Sequence, residues 1–367
     1  MAETIKAPVK LKPNRVWRIY SGGKLLDEFC GTVPGVDESF PEDWLSSVVE
    51  ANNLPREDKP QREGLSIADD GSGRFLKDMI EAYPEEMLGR KHLAQFGSNL
   101  GVLVKFLDSA VRLPIQVHPD KEAAKRLFHS DYGKTEAWYI LGGREIDGEP
   151  PYILMGFKEG VTPEEWKGYF DIQDIAGMEQ SLHKIQVHPG DVFLIKGGMP
   201  HAIGPGCFLL EIQEPTDYTI SVEKNAPDGN PVPDFLCHQG LGFDKMFECF
   251  HDKTDSLQET LAEYQISSAC VTENADVRID CLIDKRQTEA FALNKITVKS
   301  RYAYPSDGRA AIIAAVAGEG RLVCGDVEIP LKRGNSVFMP AEIGNAMFFS
   351  DKDETLTILE CLPPALK

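Results

Sequence analysis

A chain of 367 residues can bury a large core, and its length alone suggests two or three domains. A formal charge of -19 disfavours nucleic acid or an anionic membrane as partner, while leaving room for a local basic pocket that takes a phosphorylated metabolite. No apolar run approaches the roughly 18 residues of a membrane span, and the opening MAETIKAPVKLKPNRVW lacks the apolar core of a signal peptide, so a cytoplasmic protein is expected.

In chain order, 42–53 (EDWLSSVVEANN) and 75–95 (FLKDMIEAYPEEMLGRKHLAQ) carry apolar residues at mixed three- and four-residue spacing, which predicts helices flanking a loop at 54–74. From about residue 101 the pattern changes. GVLVKFLD, AWYILGG, YILMGF, KIQVHPGDVFLIKGG and CFLLEIQ alternate with Gly/Pro punctuation, as in an antiparallel barrel or jelly roll. An insert at 159–183 is helical again, opened by a Thr162 cap and by Pro163 at the first helical position. A polar, weakly patterned stretch at about 251–263 precedes a second set of strand-like runs at 265–361. The expected division is therefore 1–260 and 261–367. The eight cysteines (30, 207, 237, 249, 270, 281, 324, 361) stand singly with no CxxC, the pattern of reduced, packed thiols.

The two sets of strands resemble one another. GDVFLIKGGMPHAI (190–203) lies over GNSVFMPAEIGNAM (334–347) without a gap, and EAWYILGG (136–143) over AIIAAVAG (311–318). In these registers His201 falls on Asn345 and Glu136 on Ala311. The second copy keeps the strands and loses the candidate ligands.

Those ligands come from three segments. In LPIQVHPD, Gln116 and His118 share one face of a strand that Pro119 ends; they can converge on a metal or simply face solvent. In KTEAWYIL, Glu136 shares a face with Trp138 and Ile140, opposite Ala137, Tyr139 and Leu141. A carboxylate there needs a metal or a cation, and Lys134, two residues earlier on the same face, is the competing partner. His201 follows GGMP at a turn between strands. Two imidazoles and a carboxylate form a thiolate-free set suited to zinc with one position open, and also to iron, cobalt or manganese. The histidines at 92, 129, 183, 188, 238 and 251 lack comparable partners. His188 echoes the motif, but HPGD there reads as the turn before VFLIK.

PIQVHPDK, GKTEAWYIL and PHAIGPGCFLLEIQEPTDYT, with RVWRIYSGGKLL and LGVLVKFLDS before them in the right order, resemble the motifs of type I phosphomannose isomerases of the short bacterial branch, over about residues 10–225. A weaker echo lies in GEGRLVCGDVEIPLKRGNSVFMPA. The resemblance implies a mainly β double cupin, two jelly-roll barrels with helical segments inserted in the N-terminal half. It implies one zinc held by Gln116, His118, Glu136 and His201, active-site lysines at Lys105 and Lys134, and interconversion of mannose 6-phosphate and fructose 6-phosphate through a cis-enediol. Four residues beyond Asp217 of the Thr216-Asp217 element, where the family carries an arginine that serves the sugar or its phosphate, this chain has Ser221. The alternative is therefore a divergent metal-bearing cupin that binds a sugar or sugar phosphate with little turnover, unless Lys105, Lys134 or another arginine such as Arg18 takes over that role. No general base is assigned by the sequence.

Overall fold

Strand-forming runs of β-branched and aromatic residues provide most of the regular structure. The computed structural model describes residues 6–53, 56–227, 229–351 and 354–366. Among these residues, one six-stranded sheet runs in the order Arg15–Val16, Glu42–Leu45, Leu103–Asp108, Cys207–Gln213, Glu136–Gly143, Val192–Ile195. The sheet opposite it has the path Ile220–Ser221, Gln116–Val117, His201–Ile203, Tyr152–Lys158, Thr254–Asp255, with Leu182–Gln186 also paired to Tyr152–Lys158. Trp138, Ile140 and Phe193 from the first sheet meet Ile153, Met155 and Ile203 from the second in one buried cluster. A seven-stranded and a four-stranded sheet repeat this arrangement at the C-terminal end, around Ile296, Ile313, Val337, Leu322 and Phe348. This is the mainly β, double-cupin architecture expected from the sequence.

Side chains alternate across a strand, and each face of the first sheet has a distinct destination. Leu107, Trp138, Ile140 and Leu209 point into the first barrel. Val104, Phe106, Ala137, Leu210 and Ile212 point the other way and join Leu293, Ile312, Phe338 and Leu359 of the second. The face assignment along 136–141 agrees with the expected one. The internal repeat is visible in the strand pairing: Glu136 lies opposite Ile195, and Ala311 lies opposite Met339, the residue aligned with Ile195. One further strand crosses between the halves. Val9–Lys10 pairs antiparallel with Ser336–Met339, adding the start of the chain to the edge of the C-terminal sheet.

The helical reading of 75–95 and 159–183 is matched by short helices at Leu76–Ala82, Pro84–Leu88, Arg90–Phe96, Pro163–Ile172 and Ile175–Gln180. Thr162 caps its helix through Glu165 N at 3.2 Å. The reading of 42–53 as a helix is corrected. Glu42–Leu45 is a strand paired with Leu103–Asp108, all four residues buried, and the following residues form no helix. Backbone pairing with a central strand and burial of Trp44 decide this segment against its local apolar spacing. Residues 54 and 55 of the expected loop lie outside the described residues. The polar stretch before the second barrel contains a helix, Leu257–Tyr264, that Ser256 and Glu259 close with a capping box.

Candidate active site and metal centre

Antiparallel pairing sets Gln116 directly opposite both His201 and Ser221, so three of the residues singled out in the sequence lie side by side on one sheet. His118 follows Gln116–Val117, and Glu136 begins a strand of the other sheet. The group bridges the two sheets at the floor of the first barrel. One ligand atom from each of His118, Glu136 and His201 lies within 4.8 Å of the others, and all three residues are buried. His118 Nε2 is 3.2 Å from Glu136 Oε2, and His201 Nε2 is 3.5 Å from Glu136 Oε1.

The tautomers follow from the backbone. His118 Nδ1 lies 2.8 Å from Tyr218 O and His201 Nδ1 lies 2.9 Å from Met199 O; since a carbonyl only accepts, both Nδ1 atoms carry the proton. Both Nε2 lone pairs therefore face the centre. Burial pushes the two imidazoles below their ordinary range, His118 further because Lys134 and His201 are its neighbours, so both are neutral. Glu136 is the reverse case. Burial opposes its charge, but the Lys134 ammonium holds it ionised. Trp138 Nε1 donates to its Oε1 at 3.1 Å. Lys134 Nζ donates to His118 Nε2 at 2.8 Å and to Glu136 Oε2 at 2.9 Å. Lys134, weighed in the sequence as the competing partner of Glu136, is thus bonded to it, and its ammonium supplies a positive charge that this set of acceptors attracts. Fixed neutral imidazoles and a buried carboxylate are a donor set that fits a divalent ion, with backbone carbonyls orienting both rings.

Above the floor opens a cleft lined among others by Gln116, Lys134, Glu136, Lys105, Ser221 and Arg18. Of the expected metal ligands and active-site residues, all line the cleft except His118 and His201. Sequence reasoning missed Glu42 and Glu211. Glu211 lies opposite Lys105 and Trp138 in its sheet, and its Oε2 is 3.0 Å from Lys105 Nζ. Burial, then the charge of Glu136, raises its carboxyl above the usual range. A signal was available: in CFLLEIQ the glutamate falls on the face shared by Leu209. Glu42 accepts from Trp44 Nε1 at 2.6 Å and pairs with Arg18 Nε at 3.0 Å; Arg18, then Lys105, holds it well below the carboxylate range against the cost of burial. Ser221 turns its hydroxyl back on its own chain, donating to Glu223 O at 3.1 Å and accepting from Glu223 N at 3.2 Å. His188 is exposed in the turn closed by Asp191, where its backbone N–H donates to Asp191 Oδ2 at 2.8 Å.

In the second barrel the pairing of Glu211 with Lys105 is repeated by Glu360 opposite Asn294, joined at 2.8 Å. Ala311 and Asn345 occupy the positions of Glu136 and His201, and among the described residues no second group of three or more His, Cys, Asp or Glu ligands converges.

Two family models match the chain in order: the catalytic domain of type I phosphomannose isomerase over residues 55–136 and the cupin domain of mannose-6-phosphate isomerase over 285–348. The chain is similar to two Bacillus subtilis (strain 168) proteins: probable mannose-6-phosphate isomerase GmuF, 26% identical with 92% of this chain and 94% of that protein covered, and mannose-6-phosphate isomerase ManA, 25% identical with the same coverage. The fold is shared with the crystal structure of the mannose 6-phosphate isomerase from Bacillus subtilis, TM-score 0.74 at 24% identity, covering 97% of this chain and 99% of that one. No helix among the described residues is long and apolar enough to cross a membrane. Motifs, family models and full-length relatives agree, and the chain is a double-cupin relative of the type I phosphomannose isomerases.

Proposed function

We propose that the chain is a metal-dependent aldose–ketose isomerase of the cytoplasm that interconverts mannose 6-phosphate and fructose 6-phosphate through a cis-enediol. The observation that carries this reading is the buried His118–Glu136–His201 group at the floor of a cleft lined by Lys105, Lys134 and Arg18. His118, Glu136 and His201, with Gln116 beside them, would hold one divalent ion, Zn2+ by the chemistry of the set. The ion would supply Lewis-acid polarisation of the sugar oxygens at C1 and C2.

The chain's own residues account for the rest. Isomerisation moves one proton between C1 and C2 and shifts hydroxyl protons on O1 and O2. Glu211 faces the cleft between Lys105 and Lys134, and we assign it the transfer at carbon because it is the carboxylate of the floor not engaged in the His–Glu–His group. Lys105 and Lys134 are held at 3.0 and 4.0 Å from Glu211, where their ammonium groups offset the negative charge that develops on O1 and O2. Tyr20, Leu107 and Ile203 line the cleft with apolar surface, and the buried Trp44 and Trp138 back Glu42 and Glu136 through their indole N–H groups. We assign these roles to residues 1–260 and a packing role to 261–367, with the exchanged strand Val9–Lys10 fastening one to the other.

A coupled assay with mannose 6-phosphate and fructose 6-phosphate tests the reading. Turnover in both directions, abolished by chelation and restored by Zn2+, is expected. Ser221 favours the second reading, a cupin that binds sugar phosphate without converting it. Saturable binding of mannose 6-phosphate with no turnover in metal-replete protein would establish that reading instead.

A further inference from the structure

From the floor of the cleft to its mouth the charged residues form one continuous ladder. Lys134 touches the His–Glu–His group and approaches Glu211; Glu211 pairs with Lys105; Lys105 lies 3.9 Å from Glu42; Glu42 pairs with Arg18. Arg18 then faces Asp217 with both terminal nitrogens at 3.3 Å, and Asp217 Oδ2 accepts from the backbone N–H of exposed Asn52 at 3.0 Å. Exposure rises along the ladder, from 4% for the lysine side chains to 12% for Arg18 and Asp217.

The position decides what each cation can do. Lys134 and Lys105 are committed at the floor, where C1 and C2 of a bound sugar would lie. A six-carbon sugar phosphate carries its phosphate at the opposite end of the chain from those atoms, toward the mouth. The strand that bears an arginine in the family has Ser221 there, its hydroxyl spent on Glu223. Arg18 reaches the same cleft from the N-terminal segment. Its guanidinium lies 5.0 Å from the centre of the Trp44 ring and is fixed by Glu42, Asp217 and Asn53 Oδ1, the last at 3.2 Å. Nη1 donates to Asn53 and Asp217 and Nη2 to Asp217, while Nε lies at ion-pair distance from Glu42, which leaves one Nη2 hydrogen with no acceptor among the described residues.

We infer that Arg18 is the residue that grips the phosphate of the substrate, supplying from the N-terminal segment the guanidinium that the strand at Ser221 lacks. The inference deepens the isomerase reading and rests on it for the orientation of the sugar, with the reacting carbons at the floor. Asp217 and Glu42 hold the fork rigid, so no side-chain freedom is lost when the anion arrives.

The test uses the full-length metal-loaded protein. Binding of inorganic phosphate, mannose 6-phosphate and free mannose is measured by calorimetry, and kcat/KM is measured with mannose 6-phosphate. Arg18→Gln is expected to weaken both phosphorylated ligands by about 10- to 100-fold, the loss of one charge-assisted contact, and to leave free mannose and metal content unchanged. Arg18→Lys, which keeps the charge against Glu42 and Asp217 and so preserves the ladder should the glutamine variant fail to fold, is expected to fall between. Adding Ser221→Arg to Arg18→Gln should recover most of the lost phosphate affinity from the other side of the cleft. Equal phosphate affinity in native, lysine and glutamine proteins overturns the inference, as does a parallel loss for free mannose. Native protein that binds phosphate through Arg18 yet does not isomerise mannose 6-phosphate sinks the isomerase reading alone; native protein that isomerises it with phosphate affinity insensitive to Arg18 sinks this one alone.

Discussion

His118 and His201 each spend one nitrogen on a backbone carbonyl and aim the other at Glu136. Such rings bind metal without first losing a proton or choosing a rotamer. Purified native protein is expected to carry about one equivalent of divalent metal by elemental analysis, and the His118→Ala/His201→Ala double variant almost none. A double variant that retains its metal would move the centre elsewhere. Asp108 shows a different use of a buried carboxylate. Its Oδ2 accepts from the backbone N–H groups of Gly23 and Leu25 at 3.0 and 2.6 Å, closing the start of helix Lys24–Phe29, while Oδ1 is buried with no partner. Burial pushes this carboxyl up to about 6 from 3.8. Below the unfolded value both states are protonated and nothing is lost. As pH rises from about 4 to 6 the unfolded chain ionises first, so Asp108 subtracts stability on the order of 3 kcal/mol, a penalty that is complete above 6. Urea titrations across that window should show Asp108→Asn with a flatter dependence of stability on pH than the native chain; an unchanged slope would mean that the carboxyl is already ionised near its ordinary value.

Elements that alternate cleanly were readable in advance. Along Glu136–Leu141 the sequence predicts both faces correctly because each face meets a contrasting environment, the cleft on one side and the second barrel on the other. Glu42–Leu45 was not readable. Its apolar spacing fits a helix, and it is a strand because a neighbour sixty residues on supplies the pairing edge. The same non-local origin hid Glu42 and Glu211 from a reading of motifs. Their partners Arg18 and Lys105 are brought beside them only by the sheet; Glu211, like Gln116, His118 and Glu136, does stand as a polar residue within an apolar run, and that is the one local signal for it. Phe106 tests the outer face of the first sheet. It is fully buried, with Phe29 at 5.2 Å and 68° in edge contact. Phe106→Ala should destabilise the protein by about 3–5 kcal/mol in urea unfolding while leaving metal content intact. A loss of metal at unchanged stability would show that the two faces of this sheet are coupled in a way the packing does not suggest.

At the scale of the whole molecule, the two barrels share one apolar cluster. Ending the chain near residue 260 would uncover Val104, Phe106, Leu210 and Ile212 as one contiguous apolar face, and such a fragment should aggregate on purification. A monomeric, metal-loaded fragment in size-exclusion chromatography would contradict the division of labour proposed for the two halves. The strand Val9–Lys10 adds a constraint of timing. It leaves the ribosome more than three hundred residues before its pairing partner, Ser336–Met339. During synthesis that strand must wait as an unpaired edge until its partner has emerged, and a nascent chain stalled before residue 336 presents that edge to whatever else in the cell can pair with it.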